Sequence, residues 1–408
     1  MFKILSLDKT YQYLLIILSF LIPLTVFGAN LIIVIICLLW VFSGGYKTKF
    51  YTIINSRLML ASIVFFCIHV IGLLWTEDLS WGFHTVHKMW YFIGLYPILY
   101  TLVKKEYISL YISAFLLAIT LTEIISYLVW FELIEPFKYA TVSNPTPFMS
   151  HISYNPILAF AIYLVLHELF FNKKITNLMF SLYSFFALSM SINMFITGGR
   201  AGQVAFFFML AILIFQLLEK QRIRAFLSIL IIIPSIFISA YQFSPLFKHR
   251  VNSAISDISE FSETNGYEKI NHSHTSVGAR IVFTMNSWQI IKKNLAFGVG
   301  TGDFPNDYKK NSQANTPGMP YTSNPHNMYT LVAVELGLVG LISMMSIFYY
   351  QVKFSFNSPT KFIRDTGFTL PLLFLLLMWS DSYLLGHYTT LMFVFFSSFL
   401  YKDFEKYK

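Results

Sequence analysis

About twelve stretches of this chain run apolar for long enough, or nearly long enough, to cross a bilayer. They cover residues 13–28, 29–43, 58–75, 89–103, 107–130, 153–171, 177–197, 201–218, 222–241, 327–351, 367–385 and 388–401. A helix needs about 20 mostly apolar residues to cross the hydrocarbon core. Within that core backbone groups must be satisfied internally, which leaves helices and closed barrels. Barrel strands alternate with period two and have weak hydropathy, so unbroken runs exclude them. Composition agrees. Of 408 residues, 56% are hydrophobic and 12% charged, with 43 Phe and 25 Tyr; soluble domains average roughly 45–50% and 25%. Together with a mean hydropathy of +0.61, this excludes a soluble enzyme, a disordered chain and a fibrous protein. The expected fold is an all-α polytopic membrane protein with about twelve transmembrane helices, the first two readable as one broken hairpin. The start, Met1-Phe2-Lys3, leads into an apolar run with no small-residue cleavage site, as for an uncleaved first helix.

The connecting charges orient the bundle. With the N-terminus in the cytoplasm, the inner segments hold 18 of the 29 basic residues, Lys104, Lys105, Lys173, Lys174, Arg222 and Arg224 among them. The short outer loops hold three: Lys88, Lys138 and Arg200. The other eight lie in one long outer segment, 242–326, and long segments translocate largely regardless of charge. Both termini are then expected in the cytoplasm. The organisation expected is helices 1–9 over 1–241, a periplasmic loop over 242–326 and helices 10–12 over 327–408, in one membrane domain. A net charge of +9 would suggest nucleic acid in a soluble protein. Here its distribution across the loops matters, and no nucleic-acid partner is expected. Cys37 and Cys67 sit within apolar runs and point to neither disulfide nor metal.

The long loop has two characters. Residues 252–276 are rich in Ser, Asn, Glu and His, while 280–293 reads as an amphipathic helix with Ile281, Met285 and Trp288 on one face. Ionisable residues inside spans are costly. Glu123, His69, Glu335 and Asp381 fall toward the outer ends of their spans, and Glu168 falls toward the inner side. Singly, each reads as an interhelical hydrogen bond. Together they suggest a polar cavity opening outward.

Three positions carry the chemistry. Thr197-Gly198-Gly199-Arg200-Ala201-Gly202 joins two spans with almost no loop, holding a permanently charged guanidinium at the membrane boundary. A snorkelling arginine is the plain alternative, although the positive-inside rule disfavours Arg in a short outer loop. Gly278-Ala279-Arg280 opens the amphipathic stretch, where a bare surface helix is the plain alternative. Residues 321–327 bring His326 and Asn327 to the outer mouth of the tenth span. An imidazole exchanges protons near neutral pH, although a lone His at a helix start is more often a cap. Two fixed cations and one proton acceptor on the same side suit a diphosphate-linked lipid. Gly298-Val299-Gly300-Thr301-Gly302 follows no strand and reads as a tight turn, not a nucleotide loop. His272 and His274 lack a third ligand at a helical spacing, so no metal site is expected there.

These motifs resemble the O-antigen ligase and polymerase superfamily of bacterial membrane glycosyltransferases. Residues 197–202 are similar to that family's T-G-S-R-G segment. Arg280 through Trp288, followed by Gly298 to Phe304, is similar to its R-x7-W and G-x-G-x-G-x-F block. His326-Asn327, nine residues, then Gly337-Leu338-Val339-Gly340 fits H-[NSQ]-x9-G-x-x-G. Leu295 stands where Pro is common, and Asn324 where a second His is common. The resemblance implies a GT-C-like membrane enzyme of the bacterial inner membrane. It would move a finished glycan from undecaprenyl diphosphate to the lipid A-core oligosaccharide at the periplasmic face. By carry-over, Arg200 and Arg280 bind the diphosphate and His326 activates the acceptor hydroxyl, with Gly199, Asn327 and Trp288 as further substrate contacts. No D-x-D motif or outer carboxylate cluster is present in the sequence, so the expected mechanism is metal-independent, cofactor-free and inverting. Its partners would be the lipid-linked donor, the lipid A-core acceptor and membrane lipids. An O-antigen polymerase and a protein O-oligosaccharyltransferase share the signature. A flippase would predict midplane charges and repeated halves, which the sequence does not show.

Overall fold

A computed structural model of the chain describes residues 6–263, 276–317 and 321–403. Its helices are α1 (Leu7–Leu21), α2 (Val26–Phe42), α3 (Tyr46–Ile54), α4 (Arg57–Ile71), α5 (Leu79–Lys88), α6 (Tyr96–Leu102), α7 (Ile108–Trp130), α8 (His151–Phe171) and α9 (Asn177–Ile196). They continue as α10 (Arg200–Leu217), α11 (Arg222–Phe243), α12 (Pro245–Glu263), α13 (Ser276–Lys293), α14 (Phe304–Asn315), α15 (Met328–Ser355), α16 (Lys361–Leu377) and α17 (His387–Leu400). Apart from an isolated bridge between Thr141 and Asn144, the described residues hold no β structure. The described residues are thus all-helical, with the apolar helices of a multi-pass membrane protein.

Each of the twelve apolar runs contains a helix. Among the described residues, seven helical segments are long and apolar enough to span alone, and α2 with α3, bent by 114°, makes an eighth candidate. The shorter ones have a physical reason. α17 is only 14 residues long, yet it is buried from Thr389 to Leu400, as expected of a helix apolar all round. Phe393 packs on Phe374 and Phe348, and Phe396 on Phe115 and Phe160. Its polar Ser397 accepts from Gln351 Nε2 at 2.9 Å. α11 is the opposite case, turning nearly all of its apolar side chains outward as a lipid-facing helix does.

Both ends of the described chain meet at one end of the bundle. Lys104 pairs with Asp8 at 2.8 Å and Lys105 with Asp403 at 3.9 Å. The described parts of the 242–326 segment pack at the other end. There α12 seats Phe247 on Phe195. α13 and α14 bury Phe283, Phe304 and Tyr308 against Leu331 and Val334 of α15. The polar stretch expected at 252–276 is helical through Glu263, while His272 and His274 lie outside the described residues.

The glycine run at 298–302 has a structural purpose. α15 breaks at Gly337, whose φ of 61° and ψ of −154° are non-helical. The break releases backbone groups, and buried backbone must be paired. The 295–300 segment pairs them. Val299 and Gly300 donate to the carbonyls of Val334 and Glu335 at 2.9 and 3.0 Å, and Leu338 and Val339 donate to Leu295 and Ala296 at 2.9 and 3.2 Å. The approach is too close for a side chain: a Cβ on Gly298 would lie 2.3 Å from the Glu335 backbone, and one on Gly337 2.5 Å from Ala296. Gly337→Ala is therefore expected to destabilise the protein by about 1–3 kcal/mol from backbone strain alone, with the overlap adding to it. Thermal unfolding followed by size-exclusion chromatography measures this, and an unchanged midpoint would contradict the seam. The same run continues into a dock for α4 and α5. Thr301 donates through Oγ1 to the His69 carbonyl at 2.7 Å, and the Asp303 carboxylate accepts from Glu77 and Asp78 N–H at 2.7 and 2.8 Å.

Candidate active site

The turn from α9 to α10 is built by close packing on α8. A Cβ on Gly199 would lie 2.5 Å from the His151 carbonyl oxygen, and one on Gly202 2.3 Å from Asn155 Cβ. Gly198 N–H donates to Asn144 Oδ1 at 2.9 Å, and Asn144 Nδ2 meets His151 Nδ1 at 2.8 Å. Gly199 thus acts as a spacer that seats Arg200 as the first residue of α10. The positive end of a helix dipole disfavours a cation there, so the placement calls for an anion.

Arg200 is not alone. Arg250, Asp257 and Arg280 lie within electrostatic reach of it. Arg250 projects from α12 to the same turn, its guanidinium 3.3 Å from the position a Gly198 Cβ would take. Asp257 is buried two turns further along α12. Arg280 stands in the second turn of α13 and extends the charge toward Asp381 and Tyr383. Sequence reasoning missed Arg250: it is one of eight basic residues in the long segment, with no motif to mark it.

His326 completes the group. Phe283, three residues along α13 from Arg280, stacks on the imidazole with ring centroids 6.3 Å apart and planes at 28°. His326 Nδ1 meets Asp381 Oδ1 at 3.2 Å. Asp381 lies beyond the end of α16, in the connection to α17. A carboxylate on Nδ1 holds the proton there and leaves Nε2 as the accepting nitrogen. Burial pushes the Asp381 carboxyl up. The His326 hydrogen bond and charge, the Ser382 N–H and the Arg280 charge outweigh that and hold it below its ordinary value. Asn324 braces the pair, its Oδ1 accepting from His326 N–H at 2.9 Å and Ser382 Oγ at 2.9 Å. His326 has φ of 52°, a left-handed conformation held by these contacts. At the position where the resemblance often has a second His, this chain uses an amide to tie two loops.

The remaining sequence candidates lie differently. Asn327 caps α15, accepting from Thr330 N–H at 3.0 Å and donating to the Trp379 carbonyl at 3.3 Å. The buried face of α13 carries Val282, Phe283, Asn286, Ser287, Ile290 and Ile291. Trp288 is 53% exposed, with Lys292 Nζ 5.8 Å above its ring. Of the ionisable residues in spans, Asp381 joins the cluster. The Glu335 carboxyl instead accepts from Gly302 and Phe304 N–H, Glu123 lies beside Tyr127 and Tyr154, and Glu168 lines a cavity with Lys105 and Tyr183. The outward polar cavity expected from these residues as a group is thus replaced by an arginine–histidine cluster built mainly from the long segment. Among the described residues no group of three His, Cys, Asp or Glu could hold a metal.

Asp381→Asn keeps the side-chain shape and removes the charge that orients His326. Turnover is expected to fall about 10–100-fold, less than in a buried triad because the imidazole is 39% exposed. Asp381 is ionised at every pH above about 3.9 and is protonated only as pH falls through its lower folded value. The wild type should therefore lose this contact only in strong acid. A pH–rate profile of the variant, with KM measured alongside, checks this; a change in KM alone would make Asp381 a binding group.

No curated protein matches the chain. A family model described as O-Antigen ligase matches residues 185–345, the stretch from within α9 to the middle of α15 that contains Arg200, Arg250, Arg280 and His326. That segment, under half of the chain, is similar to the O-antigen ligase family, a likeness that supports the O-antigen ligase superfamily.

Proposed function

We propose that the protein is an O-antigen ligase. In this reading it transfers a glycan from undecaprenyl diphosphate to a sugar of the lipid A-core, at the periplasmic face of the bacterial inner membrane. The family match supports a glycosyltransferase of lipopolysaccharide biosynthesis acting on lipid-linked glycans. The observation that carries the finer reading is the cluster itself: Arg200, Arg250 and Arg280 beside a His326–Asp381 pair. The acceptor hydroxyl oxygen attacks the anomeric carbon while its proton passes to His326 Nε2. The bond from that carbon to the diphosphate oxygen breaks, and the electron pair leaves on the diphosphate. Guanidinium forks suit that developing charge. One displacement inverts the anomeric centre, with no metal or cofactor in the step. The excess of Lys and Arg in the connections at the other end supports cytoplasmic termini and a periplasmic 242–326 segment between the membrane parts 1–241 and 327–408.

Deleting the protein tests this. Bare lipid A-core with intact lipid-linked polymer is the expected result. Core bearing a single repeat would indicate a polymerase, and loss of glycoprotein with normal lipopolysaccharide a protein O-oligosaccharyltransferase. Transfer by the purified protein should survive excess EDTA; loss restored by magnesium would refute the metal-free step.

A further inference from the structure

A cavity of about 410 Å³ lies between α7, α8, α9 and the start of α16. Lys105 lines it, which puts it at the end of the bundle where Lys105 meets Asp403, opposite the arginine cluster. Near the cluster α7 and α9 are tied together: Tyr127 donates to the Ser189 carbonyl at 2.8 Å, and Asn193 Nδ2 to Ser126 Oγ at 3.0 Å. Toward the other end the two helices part around the cavity. Ile112 and Leu116 of α7 form one wall, Tyr183 of α9 the other, and Val165 and Glu168 of α8 the floor. Thr360 and Ile363 close the end.

The cavity opens sideways, at the rim of the bundle. Ser109 and Ser113, one turn apart on α7, both line it and are exposed. Leu117 of α7 and Phe185 of α9 are exposed as well, on helices with the length and hydropathy of membrane spans. Its lining charges come one of each sign. The Lys105 ammonium meets Asp403 at 3.9 Å in an exposed pair, a contact worth little in free energy. The Glu168 carboxylate accepts from Asn172 Nδ2 through Oε1 and has acceptor capacity for more. An apolar slot with a cation, an anion and two hydroxyls at its mouth fits an amphiphile whose head carries both a phosphate and a protonated amine.

We propose that this cavity is a binding site for phosphatidylethanolamine, with the lipid ammonium on Glu168, its phosphate on Lys105 and the Ser109 and Ser113 hydroxyls, and the upper part of one acyl chain between α7 and α9. The apolar walls take the chain by burial, and the two charges take the head. The choice of headgroup follows from the pair. A purely anionic head would bring its charge to the Glu168 carboxylate, and a choline has no N–H to donate to it. The site is remote from glycan transfer and does not depend on the function proposed above. In the orientation proposed there, the lipid belongs to the cytoplasmic leaflet and braces α7 against α9 where they part.

The test uses the full-length protein, delipidated in detergent, and native mass spectrometry with an equimolar mixture of dioleoyl phosphatidylethanolamine, phosphatidylglycerol and phosphatidylcholine. The wild type should retain the ethanolamine lipid about tenfold over either of the others, the scale of one charge-assisted hydrogen bond. Glu168→Gln keeps the side-chain shape and an acceptor for Asn172, and should bring ethanolamine and choline level. Equal retention of all three by the wild type would overturn the proposal and indicate a general lipid groove. Preference for phosphatidylglycerol would overturn it in favour of a basic rim that reads net charge, and an unchanged preference in Glu168→Gln would overturn it too. The wild type also tests the location. A phosphatidylethanolamine with a diazirine near the head of one acyl chain should, on irradiation, label peptides containing Ile112, Leu116 or Ile363. Labelling confined to other segments would overturn the site, whether or not the glutamine variant folds.

Discussion

Replacing His326 by alanine is expected to lower the turnover of glycan transfer by about 10²–10⁴-fold, the usual worth of a positioned general base, with the KM for the donor little changed. The imidazole sits over Phe283 and against Asp381, so its loss removes the proposed proton acceptor and leaves the arginine cluster in place. Alanine is strained at a φ of 52°, so His326→Asn is the companion variant. Asparagine tolerates the left-handed region, cannot take the proton, and should be as inactive as alanine while unfolding at the wild-type temperature. Purified enzyme, a lipid-linked donor and a core acceptor suffice for the assay. Transfer at the wild-type rate by either variant would remove His326 as the base.

Arg200→Ala is expected to cost about 10²–10³-fold in turnover, as for removal of one group stabilising a leaving charge. The variant should fold well. Alanine is the best helix former, and removing a cation from the first position of α10 relieves its dipole. A loss of activity therefore reports on the charge that the site meets. Arg200→Lys should recover only part of the rate, because a point charge cannot fork across two phosphate oxygens. Full activity in the lysine variant would reduce Arg200 to a source of field, and full activity in the alanine variant would place the diphosphate elsewhere.

Much of the architecture was legible from hydropathy, because burial in lipid is a demand each span meets by itself. The runs at 107–130, 177–197 and 222–241 became helices nearly residue for residue. The first helix begins earlier than its apolar run, at Leu7 rather than 13, because helical geometry continues through Asp8 and Lys9 at the membrane edge. The glycine run at 298–302 was legible as a turn. That it exchanges backbone hydrogen bonds with a broken α15 was not, since its partner lies some 35 residues away and the break at Gly337 leaves no mark in hydropathy. Trp288 carried a motif position and an apolar character, yet α13 buries the neighbouring face of Phe283, Ser287 and Ile290. A one-residue rotation is too small for an irregular amphipathic pattern to resolve.

The sequence by itself determined the helical membrane class, the segments that carry Arg200, Arg280 and His326, and the family they resemble, because hydropathy and motif spacing are properties of neighbouring residues. Only the tertiary structure decided that Arg250 joins the arginines and that Asp381 holds His326. Those outcomes depend on helices closing over small residues such as Gly199 and Gly202. Contacts between residues tens to hundreds of positions apart exist only once the chain has packed.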